Sequence, residues 1–216
     1  RDTEVVISSG SRKILKEVTR IGAANQTVGN LQAAVTGARL VVIDASVWEI
    51  PQLLETIGPI LADGAVVTDT SVIKAPVMRW ADQYITGGAT FIGGHPLPKR
   101  LPDDIGDADA SIFEDIDYTV TPSDSANTDA VRTVVGLIEA LGAKPLFLDP
   151  AEHDSYAAAM HYLPIVMSSA FVTATAGSEG WREMHKLAEA GFKDYSRLAG
   201  NDPMDNETVC LANQDA

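Results

Sequence analysis

Short apolar runs rich in Val and Ile recur along the first two thirds of the chain, at 4–8, 40–45, 65–68, 90–92, 118–121 and 145–148. Each is bounded by Gly, Pro, Asp or Ser and has the length of a buried strand. Between them, at 11–21, 48–60, 73–84 and 128–141, apolar residues return at helical spacing. Alternation of this kind predicts parallel strands joined by crossover helices, an α/β doubly wound sheet of Rossmann-like type. Beyond Pro150 the strand pattern stops, and helices are expected at 151–176, 180–190 and 203–216. The boundary therefore divides an α/β domain, 1–150, from an all-α domain, 151–216.

The run 155–176 holds no Asp, Glu, Lys or Arg in 22 residues, a length that spans a bilayer. His161, Pro164, its serines and threonines and the lack of a flanking basic cluster argue against a membrane helix. A helix apolar nearly all round also suits a dimer interface, so a homodimer built on the tail helices is expected. Composition narrows the partners further. Of 216 residues, 45% are hydrophobic and 21% charged, and 16 basic against 30 acidic residues leave a net charge of -14. Such a field repels nucleic acid and anionic membranes, and an anionic small-molecule substrate must be gripped by local cations. The single cysteine, Cys210, excludes an internal disulfide and suits a reducing, cytoplasmic compartment. No signal peptide is expected at the start.

Candidate chemistry centres on Phe91-Ile92-Gly93-Gly94-His95-Pro96. Phe91-Ile92 reads as a strand end, the glycines allow close backbone approach, and Pro96 stiffens the exit. That arrangement would present the His95 imidazole at the carboxyl edge of the sheet, where ligands of doubly wound folds bind. The alternative is a loop histidine that caps a turn. The acidic stretch 103–117 lacks the spacing of a calcium loop and reads as a solvated surface loop.

A dinucleotide fold needs a glycine-rich turn after its first strand and a ribose-reading residue at the end of the second. The chain has no Gly-x-Gly-x-x-Gly and opens with what reads as the second strand, followed by Ser9-Gly10-Ser11-Arg12-Lys13. An NAD site would end that strand in Asp or Glu. Ser9, Ser11 and Arg12 instead suit a 2′-phosphate, which favours NADP over NAD, although Ser11 also has the place of a helix cap. Ala45, Ser46 and Thr70, after the strands 40–45 and 65–68, are further candidates for cofactor contact.

The segments ARLVVIDASVWEIP (38–51), VTDTSVIK (67–74), FIGGHP (91–96), DPAEHD (149–154), AAAMHYLP (157–164) and GFKDYSRLA (191–199) together resemble the prephenate dehydrogenase family, the prephenate and arogenate dehydrogenases of tyrosine biosynthesis. The resemblance covers nearly the whole chain. It implies an NAD(P)-dependent oxidoreductase that takes hydride from a cyclohexadienol, with loss of carbon dioxide and aromatisation. It also implies that the first strand and glycine-rich loop lie ahead of Arg1, by about 30 residues for one strand–loop–helix unit, and that further chain follows Ala216.

By the same resemblance, His95 matches the histidine that bonds the substrate's ring hydroxyl and accepts its proton, a task suited to imidazole near neutral pH. Arg197 falls on the arginine that grips a substrate carboxylate; the alternative is a surface arginine at a helix end. The chain also departs from the family pattern. Val72 stands where a serine is usual, leaving Ser71 as the nearest hydroxyl for substrate. His161-Tyr162-Leu163-Pro164-Ile165 replaces Ser-His-Leu-Pro-His, and Leu97-Pro98-Lys99-Arg100 follows the Gly-Gly-His-Pro. His161 either faces the substrate pocket or is a satisfied core histidine. These departures motivate two alternatives: a related dehydrogenase of another hydroxy acid, and a catalytically silent ligand-binding paralogue.

Overall fold

The computed structural model describes residues 3–99, 105–200 and 203–216. It divides into two compact units, Arg1–Asp149 and Pro150–Ala216. The first runs β1 (Val6–Ser8), α1 (Arg12–Ile21), β2 (Gln26–Val28), α2 (Leu31–Val35), β3 (Leu40–Ile43), α3 (Ile50–Ile57), β4 (Val66–Asp69), α4 (Ala75–Tyr84), β5 (Thr90–Pro96), β6 (Asp117–Pro122), α5 (Thr128–Ala140) and β7 (Lys144–Phe147). Strands β3 to β7 form one sheet in sequence order, and β1 pairs in parallel with β2 as a separate ribbon. A cleft of about 570 Å³, lined by Val6 and Ser8 of β1 and by Leu40–Ile43 of β3, parts the two.

The sheet is mixed, which corrects the expectation of parallel strands throughout: β5 and β6 are antiparallel, the other neighbours parallel. The connection explains the reversal. A parallel return needs a crossover, usually a helix, whereas the described residues between β5 and β6 form only the 3-10 turns Ile105–Asp107 and Ala110–Phe113. Of the acidic stretch expected there as a surface loop, Asp103 and Asp104 lie outside the described residues.

Side chains decide which face each helix covers. Ala130, Val134 and Ile138 of α5, spaced by four, are buried against Val66, Ile92, Tyr118 and Val120. A side chain such as Ile138 contributes about 1.5–3 kcal/mol by leaving water. A Cβ on Gly93 would lie 3.1 Å from the Met78 sulfur and 3.2 Å from Lys74 Cδ. Gly93 neighbours Ile92 and faces the other way, so α4 packs on the face opposite α5. Ile50, Leu54 and Ile57 of α3 and Val77 and Ala81 of α4 are among the other buried apolar residues. Ser11 caps α1 by accepting from Ile14 N at 3.4 Å, and Asn127 caps α5 by accepting from Ala130 N at 2.8 Å.

The second unit is helical: α6 (Pro150–Ala157), a π turn at Ala158–Tyr162, α7 (Leu163–Ala176), α8 (Trp181–Met184), α9 (Ala190–Ser196) and α10 (Pro203–Ala212). Pro164 lacks an N–H and its ring clashes with the carbonyl four residues back, which accounts for the widened turn just before it. The helix expected at 180–190 is broken: α8 gives way to a 3-10 turn at His185–Leu187, and α9 begins at Ala190. Phe171 of α7 meets Phe192 at 5.2 Å and Tyr195 at 6.1 Å between ring centroids, tying α7 to α9. The stretch Pro150–Ala176 is long and apolar enough to cross a membrane. Within this chain it is scarcely covered, with Met160, Leu163, Val166 and Met167 all exposed.

Candidate active site

His95 lies inside β5, opposite Thr119 of β6, and not in a loop beyond the strand as expected. It is 6% exposed. Glycines are poor strand formers, so the apolar pattern fades at Ile92 while the ladder continues. The tight surroundings require glycine: a Cβ on Gly94 would lie 2.6 Å from the Asp69 carbonyl oxygen, 2.9 Å from Thr68 Oγ1 and 3.0 Å from Tyr118 Cε1. Strand alternation then turns His95 to the face of Gly93 and α4.

Pairing between β4 and β5 ends at Thr68 and Ile92. Past that point the backbone of Gly94 needs other partners, and two buried charges supply them. Asp69 Oδ1 accepts from Gly94 N at 2.9 Å, and Lys74 Nζ donates to Gly94 O at 2.6 Å. Lys74 and Asp69 also pair with each other at 2.5 Å, both side chains fully enclosed. The Ser71 hydroxyl bonds to Asp69 and lies 2.9 Å from the Ile73 carbonyl, and its oxygen accepts from Lys74 Nζ at 3.2 Å. A buried ion pair persists where geometry and added hydrogen bonds offset desolvation, and here every partner is within reach. Ser71, expected to meet substrate, is 7% exposed and turned into this network. On the other side Thr119 Oγ1 donates to the His95 carbonyl at 3.3 Å. Burial, with Asp69 and Asp44 adding to it, pushes the Tyr118 phenol well above its usual range.

The cofactor candidates fall into two groups. After β1, Ser9 Oγ accepts from Ser11 N at 3.1 Å while Ser11 caps α1, so the serines shape a helix N-terminus with Arg12 exposed beside them. The first turn of α1 holds no acidic residue. Two hydroxyls and a guanidinium beside the N-terminus of a ten-residue helix form a donor set that fits the ribose end of a dinucleotide. After β3 and β4, Thr70 Oγ1 donates to Asp44 Oδ1 at 2.6 Å, and Ser46 N donates to Glu49 Oε2 at 3.2 Å, with Ala45 between Asp44 and Ser46.

In the helical unit, Arg197 opens the 3-10 turn that follows α9 and is exposed. Buried Ser168 of α7 fixes that segment: its hydroxyl donates to Tyr195 O at 2.6 Å and accepts from Ala199 N at 3.0 Å. His161 lies in the π turn and is exposed, which removes the alternative of a core histidine. Its neighbour Tyr162 has its phenol pushed up by burial and by Asp154 and Cys210. His153 and Asp154, both buried, bond at 2.8 Å. Asp69, Lys74, Thr119 and Ser168 belong to none of the candidate groups that the sequence pattern offers. Asp69 and Lys74 carried one signal, as opposite charges at the end of an apolar strand and the start of the next helix.

A Rossmann-like nucleotide-binding sheet followed by a helical unit is the class that this arrangement defines. The chain matches the nucleotide-binding domain of prephenate dehydrogenase over residues 2–146 and the dimerization domain of prephenate dehydrogenase over 149–216. It belongs to the prephenate dehydrogenase family. The prephenate dehydrogenase of Bacillus subtilis is 25% identical over 198 residues, 91% of this chain and 53% of that protein, so the chain spans about half its length. The crystal structure of Synechocystis arogenate dehydrogenase superposes with a TM-score of 0.82 at 25% identity, over 97% of this chain and 75% of that one. The prephenate dehydrogenase of A. aeolicus, solved in complex with hydroxyphenyl propionate and NAD+, shares the fold with a TM-score of 0.90 at 18% identity, over 99% and 75% of the two chains.

Proposed function

We propose that the chain is the core of an NAD(P)-dependent dehydrogenase that converts prephenate or arogenate, in the cytoplasm, to an aromatic product with loss of carbon dioxide. The observation that carries this reading is His95, buried in β5 with the backbone on both sides of its neighbour Gly94 held by charged groups. A fixed imidazole suits removal of the proton from the substrate's ring hydroxyl. A nicotinamide bound here would supply the hydride acceptor for the carbon that bears that hydroxyl. Electrons from the breaking bond to the departing carboxylate would complete the aromatic ring, and the ring oxygen would take its proton back from the imidazole.

Arg197 pairs with the substrate carboxylate that is kept, through the two-pronged contact that a guanidinium offers. His161 is a further candidate for substrate contact, while Ser71, bonded to Asp69 and Lys74, braces the buried network instead. Ser9, Ser11 and Arg12 hold the ribose end of the cofactor, with NADP preferred to NAD, and Ala45, Ser46 and Thr70 line its path at the ends of β3 and β4. The exposed apolar side of α7 is covered by a second copy in a homodimer, as expected for a chain whose helical part matches a dimerization domain.

The test is turnover by the full-length protein, followed by the absorbance of the reduced cofactor, with prephenate and arogenate each offered with NAD and NADP. Reduction that depends on one of the two cyclohexadienols supports the reading. Cofactor binding without turnover of either contradicts it.

A further inference from the structure

We propose that the buried Lys74–Asp69 pair is a positioning device for the active site, holding the peptides on both sides of Gly94 so that His95 is fixed where it removes the proton. This rests on the reading of His95 as the base. Sheet pairing alone does not restrain that segment on the β4 side, because the β4–β5 ladder stops at Ile92. A crevice at the end of parallel strands opens by such parting, and it frees the backbone that the chemistry needs held. Here the carboxylate of Asp69, the last residue of β4, takes the amide hydrogen of Gly94 at 2.9 Å. The ammonium of Lys74 takes the carbonyl of the peptide that joins Gly94 to His95, at 2.6 Å.

Each charge therefore does what a neighbouring strand would have done, and each is neutralised by the other. A fully enclosed lysine in a strand–helix connection is costly to maintain, and an uncharged pair would stabilise the fold as well or better. A pair of this cost fits a site where the reacting group must keep its orientation within a fraction of an ångström. Neither residue reaches the substrate in this account; both act through His95. Thr119, which donates to the His95 carbonyl from β6, steadies the other side.

A double-mutant cycle in the full-length protein tests this. Turnover is measured for the native protein, Lys74→Met, His95→Asn and the double variant, with cofactor affinity, substrate KM and thermal unfolding recorded for each. Lys74→Met should lower kcat by roughly 10²-fold, the loss that a misplaced catalytic group entails, with cofactor affinity unchanged. The double variant should be no slower than His95→Asn alone, since Lys74 has nothing left to position.

Native turnover by Lys74→Met, or a full additional loss in the double variant, overturns the positioning role while leaving the base reading intact. Native turnover by His95→Asn overturns the base reading itself. Should Lys74→Met fail to fold, Asp69→Asn, which keeps an acceptor for Gly94 N and removes the charge, takes its place in the same cycle with the same expected and contrary outcomes.

Discussion

The Lys74 ammonium lies 2.6 Å from the carbonyl oxygen of Gly94, the residue that precedes His95, while the Asp69 carboxylate accepts the Gly94 amide at 2.9 Å. A backbone gripped this closely has no room for a side chain. Gly94→Ala would bring a methyl within 2.6 Å of the Asp69 carbonyl, a backbone atom that cannot swing aside. The variant should lose about 1–3 kcal/mol, the usual cost of overpacking. Denaturant melts should show a lower midpoint, and an unchanged midpoint would mean that the strands part more readily than described.

The end of β1 carries the cofactor prediction. Ser9, Ser11 and Arg12 surround a helix N-terminus with no acidic residue in its first turn, so NADP should bind more tightly than NAD. Ser9→Asp should reverse the order, because a carboxylate accepts the ribose hydroxyls of NAD and repels a 2′-phosphate. Titration of both cofactors against both proteins decides it. Equal affinities in the native protein, or no change on substitution, would show that these residues do not read the ribose.

Much of this was readable in the chain and some was not, for physical reasons. Strands β3 to β7 follow from short apolar runs bounded by turn residues, and helices α1, α3, α4 and α5 from runs long enough to show a period. The three residues of β2 and five of α2 are too short for one. His95 was expected in a loop because Gly93-Gly94 breaks the apolar pattern, yet the sheet carries the strand through Pro96 by pairing with β6. The Lys74–Asp69 contacts to Gly94 join residues 20 and 25 positions apart, and only the register of β4 against β5 brings them together. Of the two readings of His161, its exposure removes the core histidine, and the π turn that carries it has no signature in a 3.6-residue period.

Assembly follows from α7. Met160, Leu163, Val166 and Met167 are exposed on one uncharged helical stretch, a patch that soluble monomers rarely leave open. The native protein should be a dimer by light scattering at micromolar concentration, and Met167→Glu should weaken it. A native monomer at that concentration would contradict the interface.

Alkaline stability should report Tyr118. Its folded phenol is pushed above the ordinary value of 10.0 by burial, then by Asp69 and Asp44. The unfolded phenol ionises first as pH rises, so the contribution of the neutral buried form is fully present below 10.0 and is lost above it. Tyr118→Phe should lose less stability than the native protein as pH rises above 10.0. Identical slopes for the two would show that Tyr118 ionises as freely folded as unfolded.

The central claim is that a buried imidazole in β5 removes the substrate proton, and turnover by His95→Asn measures it most directly. Asparagine keeps the polar contact and the strand but cannot accept the proton. The variant should fold, bind cofactor with native affinity and turn over roughly 10²–10⁴-fold more slowly, the usual worth of a positioned general base. Turnover within a few-fold of native, from a protein that melts at the native temperature, would contradict the account.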